Sequence, residues 1–175
     1  LEGLRARANV PTAVRVEPVV FGAESVGYGN ETYQSTIIGG TSYLFDIYDI
    51  DIVDGRPFDD DEVRASADVG VIGTKVAAEL FGDEDPVGKK VRIKGRNIRI
   101  VGVIPKKGQF SFLNFDELIL VPYTTAQQYL FGIKYFNRLI AEADAEEHVA
   151  RTVSDIEATL RNLHSIDVGE KDDFF

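Results

Sequence analysis

The stretch GDEDPVGKK, residues 82–90, holds the ingredients of a phosphate cradle: two glycines followed by lysine. A nucleotide-binding loop keeps four residues between its glycines and follows Lys with Ser or Thr, whose hydroxyl reaches magnesium. Here five residues separate Gly82 from Gly88, and Lys90 stands where the hydroxyl is required. Phosphate loops also run from strand into helix, so that helix-end amides face the anion. This segment leaves a predicted helix and enters a predicted strand. Asp83, Glu84 and Asp85 would in addition repel a polyphosphate at close range. The stretch therefore reads as a helix stop at Gly82, a turn fixed by Pro86 and a release at Gly88 into a strand.

Other reactive groups form no catalytic constellation. His148 and His164 lie on one predicted helix, sixteen residues apart, roughly 24 Å along its axis; they cannot share a metal and read as surface residues. No serine sits in a G-x-S-x-G setting. The run Asp59-Asp60-Asp61-Glu62 lacks the alternation, glycine and distal Glu of a calcium loop. It reads as a helix start capped by Asp59, with acids complementing the positive helix end. Without cysteine there is no disulfide, thiolate nucleophile or cysteine-ligated metal. Carboxylates are plentiful, so a hydrolase built on paired acids stays open, although acids are ordinarily surface groups. The reading is of no enzyme, with no catalytic, cofactor-binding or metal residues.

The elements that position these residues follow from composition and periodicity. At 175 residues, 44% apolar and 27% charged, the chain is long enough to bury a core in one domain or two small lobes. No apolar run approaches the ~18 residues of a spanning helix. The chain starts without Met and without an apolar signal core, which points to a fragment or processed product, and any membrane anchor must lie outside it. The net charge of −10 disfavours nucleic acid. That charge is uneven: residues 1–88 carry 6 basic and 17 acidic side chains, residues 108–175 carry 5 and 12, and residues 89–107 hold 8 basic and none acidic.

Strands are expected at 14–20, 34–38, 69–72, 91–94, 98–104, 118–121 and 136–141, the first two forming a hairpin around Gly27, Gly29 and Asn30. A short extended segment is expected at Ile50–Val53. Helices are expected after Thr41 or Ser42, from Thr74 to Phe81, and from a Thr124/Gln127 capping box to Gly132. A second capping box, Asp144/Glu147, opens the strongest helix. Its Val149, Val153, Ile156, Leu160 and Leu163 repeat at 4,3,4,3 spacing, an apolar stripe suited to lie on a sheet. Strands and helices mix without a regular βαβ rhythm, which gives an α+β class.

The basic island is expected to be a hairpin. With Gly95-Arg96 as its two-residue turn, Ile93 faces Ile98 and Val91 faces Ile100 on an apolar side, while Arg92 faces Arg99 on the other, with Lys94 beside Asn97. Arg92, Lys94, Arg96 and Arg99 are the candidate interaction surface. Acidic lobes of the same chain, a partner protein or lipid headgroups could use it.

The stretch VGVIGTKVAAELFGDEDPVGKKVRIKGRNIRIVGVIPKKG resembles the signature of the MacB-like periplasmic core domain of FtsX-like ABC transporter permeases. The matching pieces are Val71-Ile72-Gly73, Leu80-Phe81-Gly82, Asp85-Pro86-Val87-Gly88-Lys89 and Ile100-Val101-Gly102-Val103-Ile104. Gly55-Arg56-Pro57-Phe58 precedes them, and Leu120-Val121-Pro122 and Asp172-Asp173-Phe174 follow in order. The resemblance implies a porter-like mixed α/β lobe, residues 1–55 and 123–175, with an inserted β-rich lobe, residues 56–122. It implies a domain on the extracytoplasmic side of the cell membrane that relays ATP-driven motion to export or extract a substrate, without catalysis of its own. A separate cytoplasmic ATPase would bind ATP, reached through membrane helices outside this chain. A second permease copy and an adaptor or substrate protein are the further implied partners. The alternative is a secreted or anchored protein-binding module that uses the basic hairpin.

Overall fold

In a computed structural model, residues 1–110, 113–167 and 170–174 are described. The chain begins with α1 (Glu2–Arg5), β1 (Ala13–Tyr28), β2 (Glu31–Gly40), α2 (Tyr43–Ile47), β3 (Asp54–Gly55), α3 (Asp60–Arg64), β4 (Val69–Gly73) and α4 (Thr74–Phe81). Next come β5 (Lys90–Ile93), β6 (Arg96–Ile104), β7 (Gln109–Phe110), β8 (Leu113–Asn114), a 3-10 turn (Phe115–Glu117) and β9 (Leu118–Pro122). It ends with α5 (Tyr123–Thr125), a π-helical turn (Ala126–Phe131), β10 (Arg138–Ala143), a second 3-10 turn (Glu146–His148) and α6 (Val149–His164). The α+β class read from the sequence is the class observed. Two compact units result, Leu1–Glu17 with Leu139–Phe175, and Pro18–Arg138. Their bounds are not those of the lobes implied by the resemblance.

In the larger unit a mixed sheet closes on itself. β1 pairs antiparallel with β2, β2 parallel with β9, β9 antiparallel with β4 and β4 parallel with β6. β6 pairs antiparallel with β5, and β5 returns to β1 through Val26–Ile93 and Gly27–Arg92. Each strand of this ring therefore has a neighbour on both sides, which removes the open edges that invite mispairing. Alternation places Val91, Ile93, Ile98 and Ile100 in one cluster with Val26, Ile37, Ile72, Ile119 and Val121. Val76, Leu80 and Phe81 of α4, with Ala126 and Leu130 of the π-helical turn, pack into the same cluster. Each fully buried aliphatic or aromatic side chain stabilises by about 1.5–3 kcal/mol.

The first hairpin turns at Gly29 (φ 57°) and Asn30 as expected. The second has a different register. Its turn is Lys94-Gly95, with φ of 47° and 82°, the type I′ signature of two left-handed central residues. Consequently Val91 faces Ile98, Arg92 faces Asn97 and Lys90 faces Arg99. The shift from the expected pairing is two residues, so the apolar face is preserved. This register runs on through the hairpin's own ladder and meets β1 and β4 outside it. Ile100 N–H donates to Lys89 O at 2.8 Å, and Arg99 N–H to Asp68 O at 2.9 Å.

Other local expectations change because side chains find distant partners. Ser42 precedes α2 but its hydroxyl donates to Asp60 rather than capping. No strand forms at Ile50–Val53, and only Asp54–Gly55 pairs, with β6. Thr124 donates to Val63 O at 2.5 Å and Gln127 to Tyr135 O at 2.8 Å, so neither caps α5. Gly132, at φ 63° and ψ 31°, does end the turn that follows. The last strand starts at Arg138 rather than Phe136, because Asn137 spends its N–H on Val19 O and its side chain on Phe21 N–H.

In the smaller unit, β10 lies beside β1, and Leu4, Val10 and Val16 are buried with Ala13, Leu139, Ile156 and Leu160 against them. Helix α6 is rotated relative to its expected seating. Ile156 and Leu160 pack inward, whereas Val149, Val153 and Leu163 are about half exposed. The buried positions are Thr152 and Thr159. Thr152 bonds Thr12 at 2.8 Å and the His148 carbonyl at 3.0 Å, so its hydroxyl is satisfied inside. The expected Asp144 cap is also redirected, to His148 Nδ1 at 2.7 Å. Among the described residues no helix is long and apolar enough to cross a membrane.

Gly55 shows how closely β3 lies on β6. Its φ is 81°, and a Cβ there would sit 2.2 Å from the Val101 carbonyl oxygen. Gly55→Ala is expected to destabilise the chain by about 2–3 kcal/mol in urea unfolding, from left-handed strain and the clash. A loss below ~0.5 kcal/mol, the usual range for surface changes, would refute this contact.

Candidate functional site

The register of the β5–β6 hairpin decides which basic residues are available. Lys90, Arg92 and Arg99 project from the exposed face. Lys94 occupies the turn and its Nζ lies 2.9 Å from Glu24 Oε1. Arg96 sits opposite Ile93, hence on the other face. Its Nε and Nη2 donate to the two oxygens of Asp68 at 2.9 and 2.7 Å, and its guanidinium stacks 3.7 Å from the Tyr129 ring centroid. This bidentate, stacked arrangement suits arginine rather than lysine. Of the four sequence candidates, the structure thus groups Arg92 with Arg99, holds Lys94 at one end in an ion pair, and commits Arg96 to a brace. Lys90 was not among them, although strand alternation alone places it with Arg92. Asp68, Tyr129 and Glu24 lie far along the chain, and no local signal marks them as partners.

The loop that resembles a phosphate cradle is spent on structure. Gly82 ends α4 with φ 58°. Asp85 Oδ1 accepts from Val87 N–H at 2.8 Å, and Lys89 N–H donates to Pro86 O at 3.1 Å. Gly88, at φ 84°, donates its N–H to Ile100 O at 2.8 Å. Lys89 Nζ donates to Glu84 Oε2 at 2.5 Å, and Tyr28 Oη to the same oxygen at 3.1 Å. The hydrogen bond from Lys89, with that from Tyr28, holds the Glu84 carboxyl below its ordinary range. Tyr28 in turn packs on Phe81, ring centroids 4.2 Å apart. The lysine ammonium is therefore committed to the carboxylate of its own loop.

The Gly55-Arg56-Pro57-Phe58 piece is a second brace. Phe58 is buried edge-on to Phe45 at 5.0 Å. Arg56 grips Glu62 with two hydrogen bonds of 2.8 and 2.7 Å. Asp59 caps α3 as expected, and Glu62 closes a capping box with it that the sequence reading did not include, their reciprocal bonds measuring 2.8 and 3.1 Å. The hydrogen bond from Arg56 lowers the Glu62 pKa, against burial and aided by the Asp59 N–H and the positive charges of Arg56 and Arg99. The acidic run is thus a helix start. Among the described residues no group of three or more His, Asp or Glu side chains is placed to hold a metal.

The structure defines an α+β domain in which motif residues build turns, caps and close backbone contacts. The chain belongs to the MacB-like periplasmic core domain family, whose sequence model matches residues 1–159. It is 34% identical over 166 residues to the pyoverdine export ATP-binding/permease protein PvdT of Pseudomonas syringae, covering 93% of this chain and 24% of that protein. It is 29% identical over 160 residues to the macrolide export ATP-binding/permease protein MacB of Bdellovibrio bacteriovorus, covering 91% of this chain and 25% of the other. The chain spans about a quarter of the length of these relatives.

Two solved structures share the fold. The extracellular domain of the noncanonic ABC-type transporter YknZ from Gram-positive bacteria matches with a TM-score of 0.82 at 22% identity, over 95% of this chain and 84% of that one. The periplasmic region of MacB from Actinobacillus actinomycetemcomitans matches with a TM-score of 0.77 at 22% identity, over 94% and 73%. Family membership places the chain on the extracytoplasmic side of a membrane transporter.

The Glu62 carboxylate gives a pH test. Its folded pKa lies below the ordinary 4.5, so its ion pair stabilises above that value and is lost as pH falls through the folded pKa. Glu62→Gln keeps a capping side chain but removes the charge. It is expected to lower stability at pH 7 by about 0.5–1 kcal/mol, allowing for water screening of half-exposed Arg56. It should also flatten the decline below pH ~4.5 in thermal melts relative to the parent. An unchanged acid limb would contradict the assignment.

Proposed function

We propose that the chain is the extracytoplasmic domain through which an ABC transporter permease of the MacB/FtsX-like type relays ATP-driven conformational change across the membrane to export or extract a substrate. The observation that carries the reading is the family match over residues 1–159. A relay needs stiffness rather than bond-making groups. The Arg96–Asp68–Tyr129 stack and the Lys89–Glu84–Tyr28 cluster tie segments distant in sequence into one unit, and the Arg56–Glu62 grip stiffens the start of α3. On this reading the domain performs no catalysis and binds no cofactor. ATP is bound by a cytoplasmic ATPase coupled through membrane helices, and a second permease copy and an adaptor or substrate protein complete the assembly. The porter-like lobe, residues 1–55 and 123–175, and the inserted lobe, residues 56–122, remain the proposed division of the domain.

The test uses the intact permease, with a spin label at Val53→Cys, an exposed site in a chain without cysteine. Distances between labels on two copies should shift between nucleotide-free and ATP-locked states. A distribution identical in both states overturns the relay. So does ATP turnover by the isolated 175-residue chain that is abolished by changing one of its own side chains.

A further inference from the structure

We infer that the exposed face of β5 and β6, formed by Lys90, Arg92 and Arg99, docks an extended acidic segment of a partner protein. Of the eight basic residues between 89 and 107, Lys89, Lys94 and Arg96 are ion-paired to Glu84, Glu24 and Asp68. Lys107 donates to the Asp49 carbonyl. Lys90, Arg92 and Arg99, together with Lys106 beyond the hairpin, are exposed and make no ion pair among the described residues. The carboxylate facing Arg99, Glu62, is already taken by two bonds from Arg56.

Lys90 and Arg99 are direct cross-strand neighbours, a like-charge pairing that disfavours the sheet. A solvated face gains nothing from that arrangement, whereas an anionic occupant would be held by both. Arg92 lies diagonal to Arg99, and its Nη2 is 3.8 Å from where a side chain on Gly27 would begin. The missing side chain of Gly27 leaves room beside the guanidinium.

Spacing and chemistry favour a peptide. Same-face residues along a strand recur at about 6.8 Å, so the spacing of Lys90 and Arg92 equals that of alternate carboxylates on an extended chain. Two of the three groups are arginines, whose planar forks match carboxylates. A lipid surface fits less well. Polybasic membrane patches gather about four to eight cations, and this face has three. The assignment rests on this face and not on the relay reading.

Fluorescent hexaglutamate titrated into the 175-residue chain is expected to bind, and raising salt from about 0.05 to 0.2 M should weaken it severalfold. Arg92→Gln with Arg99→Gln should weaken it about tenfold or more, with hexalysine showing no corresponding site. Lys90→Glu should lower hexaglutamate affinity while raising Tm, because it relieves the cross-strand repulsion. Hexaglutamate binding unchanged in the folded double variant overturns the proposal. So does absence of peptide binding while phosphatidylglycerol-containing vesicles capture the chain through the same residues. A Lys90→Glu protein that is more stable yet binds hexaglutamate as before marks the face as merely solvated and also overturns it.

Discussion

The two residue pairs that join β5 to β1, Val26–Ile93 and Gly27–Arg92, convert a mixed sheet into a ring of pairings. Without them β1 and β5 would each present an open edge there, with unpaired N–H and C=O groups. With them, the β5–β6 hairpin is clamped between β1 and β4, and its register answers to both neighbours. A slip of two residues would keep the apolar side buried but would break the bonds from Arg99 N–H to Asp68 O and from Ile100 N–H to Lys89 O. Closure therefore selects the Lys94-Gly95 turn, which in turn decides that Arg96 points toward Asp68 and Tyr129 while Arg92 and Arg99 face outward.

The family signature reads as a set of solutions to close contact. Gly55 and Gly102 allow β3 and β6 backbones to meet where a side chain would collide. Gly73 permits approach to the Phe115 and Asp116 carbonyls, whose oxygens would lie 2.3 and 2.5 Å from a Cβ. Asp85, Pro86 and Gly88 shape the turn that delivers the chain to Ile100. Such a signature records the geometry of a fold, which explains how relatives named for macrolide export and pyoverdine export can both resemble it.

The smaller unit is organised by a different compromise. The buried face of α6 is anchored by hydroxyls, Thr152 on Thr12 and on the His148 carbonyl, Thr159 on the Asp155 carbonyl. Those bonds compete with the valine stripe for the inward position and leave Val149, Val153 and Leu163 half exposed. A threonine is nearly isosteric with valine, so a hydroxyl with a partner inside can outweigh the transfer of one methyl group.

The sequence alone determined the order of the main strands and helices, the α+β class, the Asp59 cap, the glycine stops of α4 and of the π-helical turn, and the apolar face of the hairpin. These depend on neighbours within a few residues, where periodicity and backbone preference act directly. It also carried the family, because motif spacing is itself linear. Tertiary structure decided the hairpin register, the rotation of α6, the failure of the Thr124 and Asp144 caps, and which cations stay exposed. Apart from Asp144, which His148 takes four residues on, these outcomes turn on partners dozens of residues away: Asp68 for Arg96, Val63 for Thr124, Glu24 for Lys94, Thr12 for Thr152. Short-range rules assign a polar side chain to its nearest acceptor, and folding assigned these to acceptors that only the closed sheet and docked helix bring near.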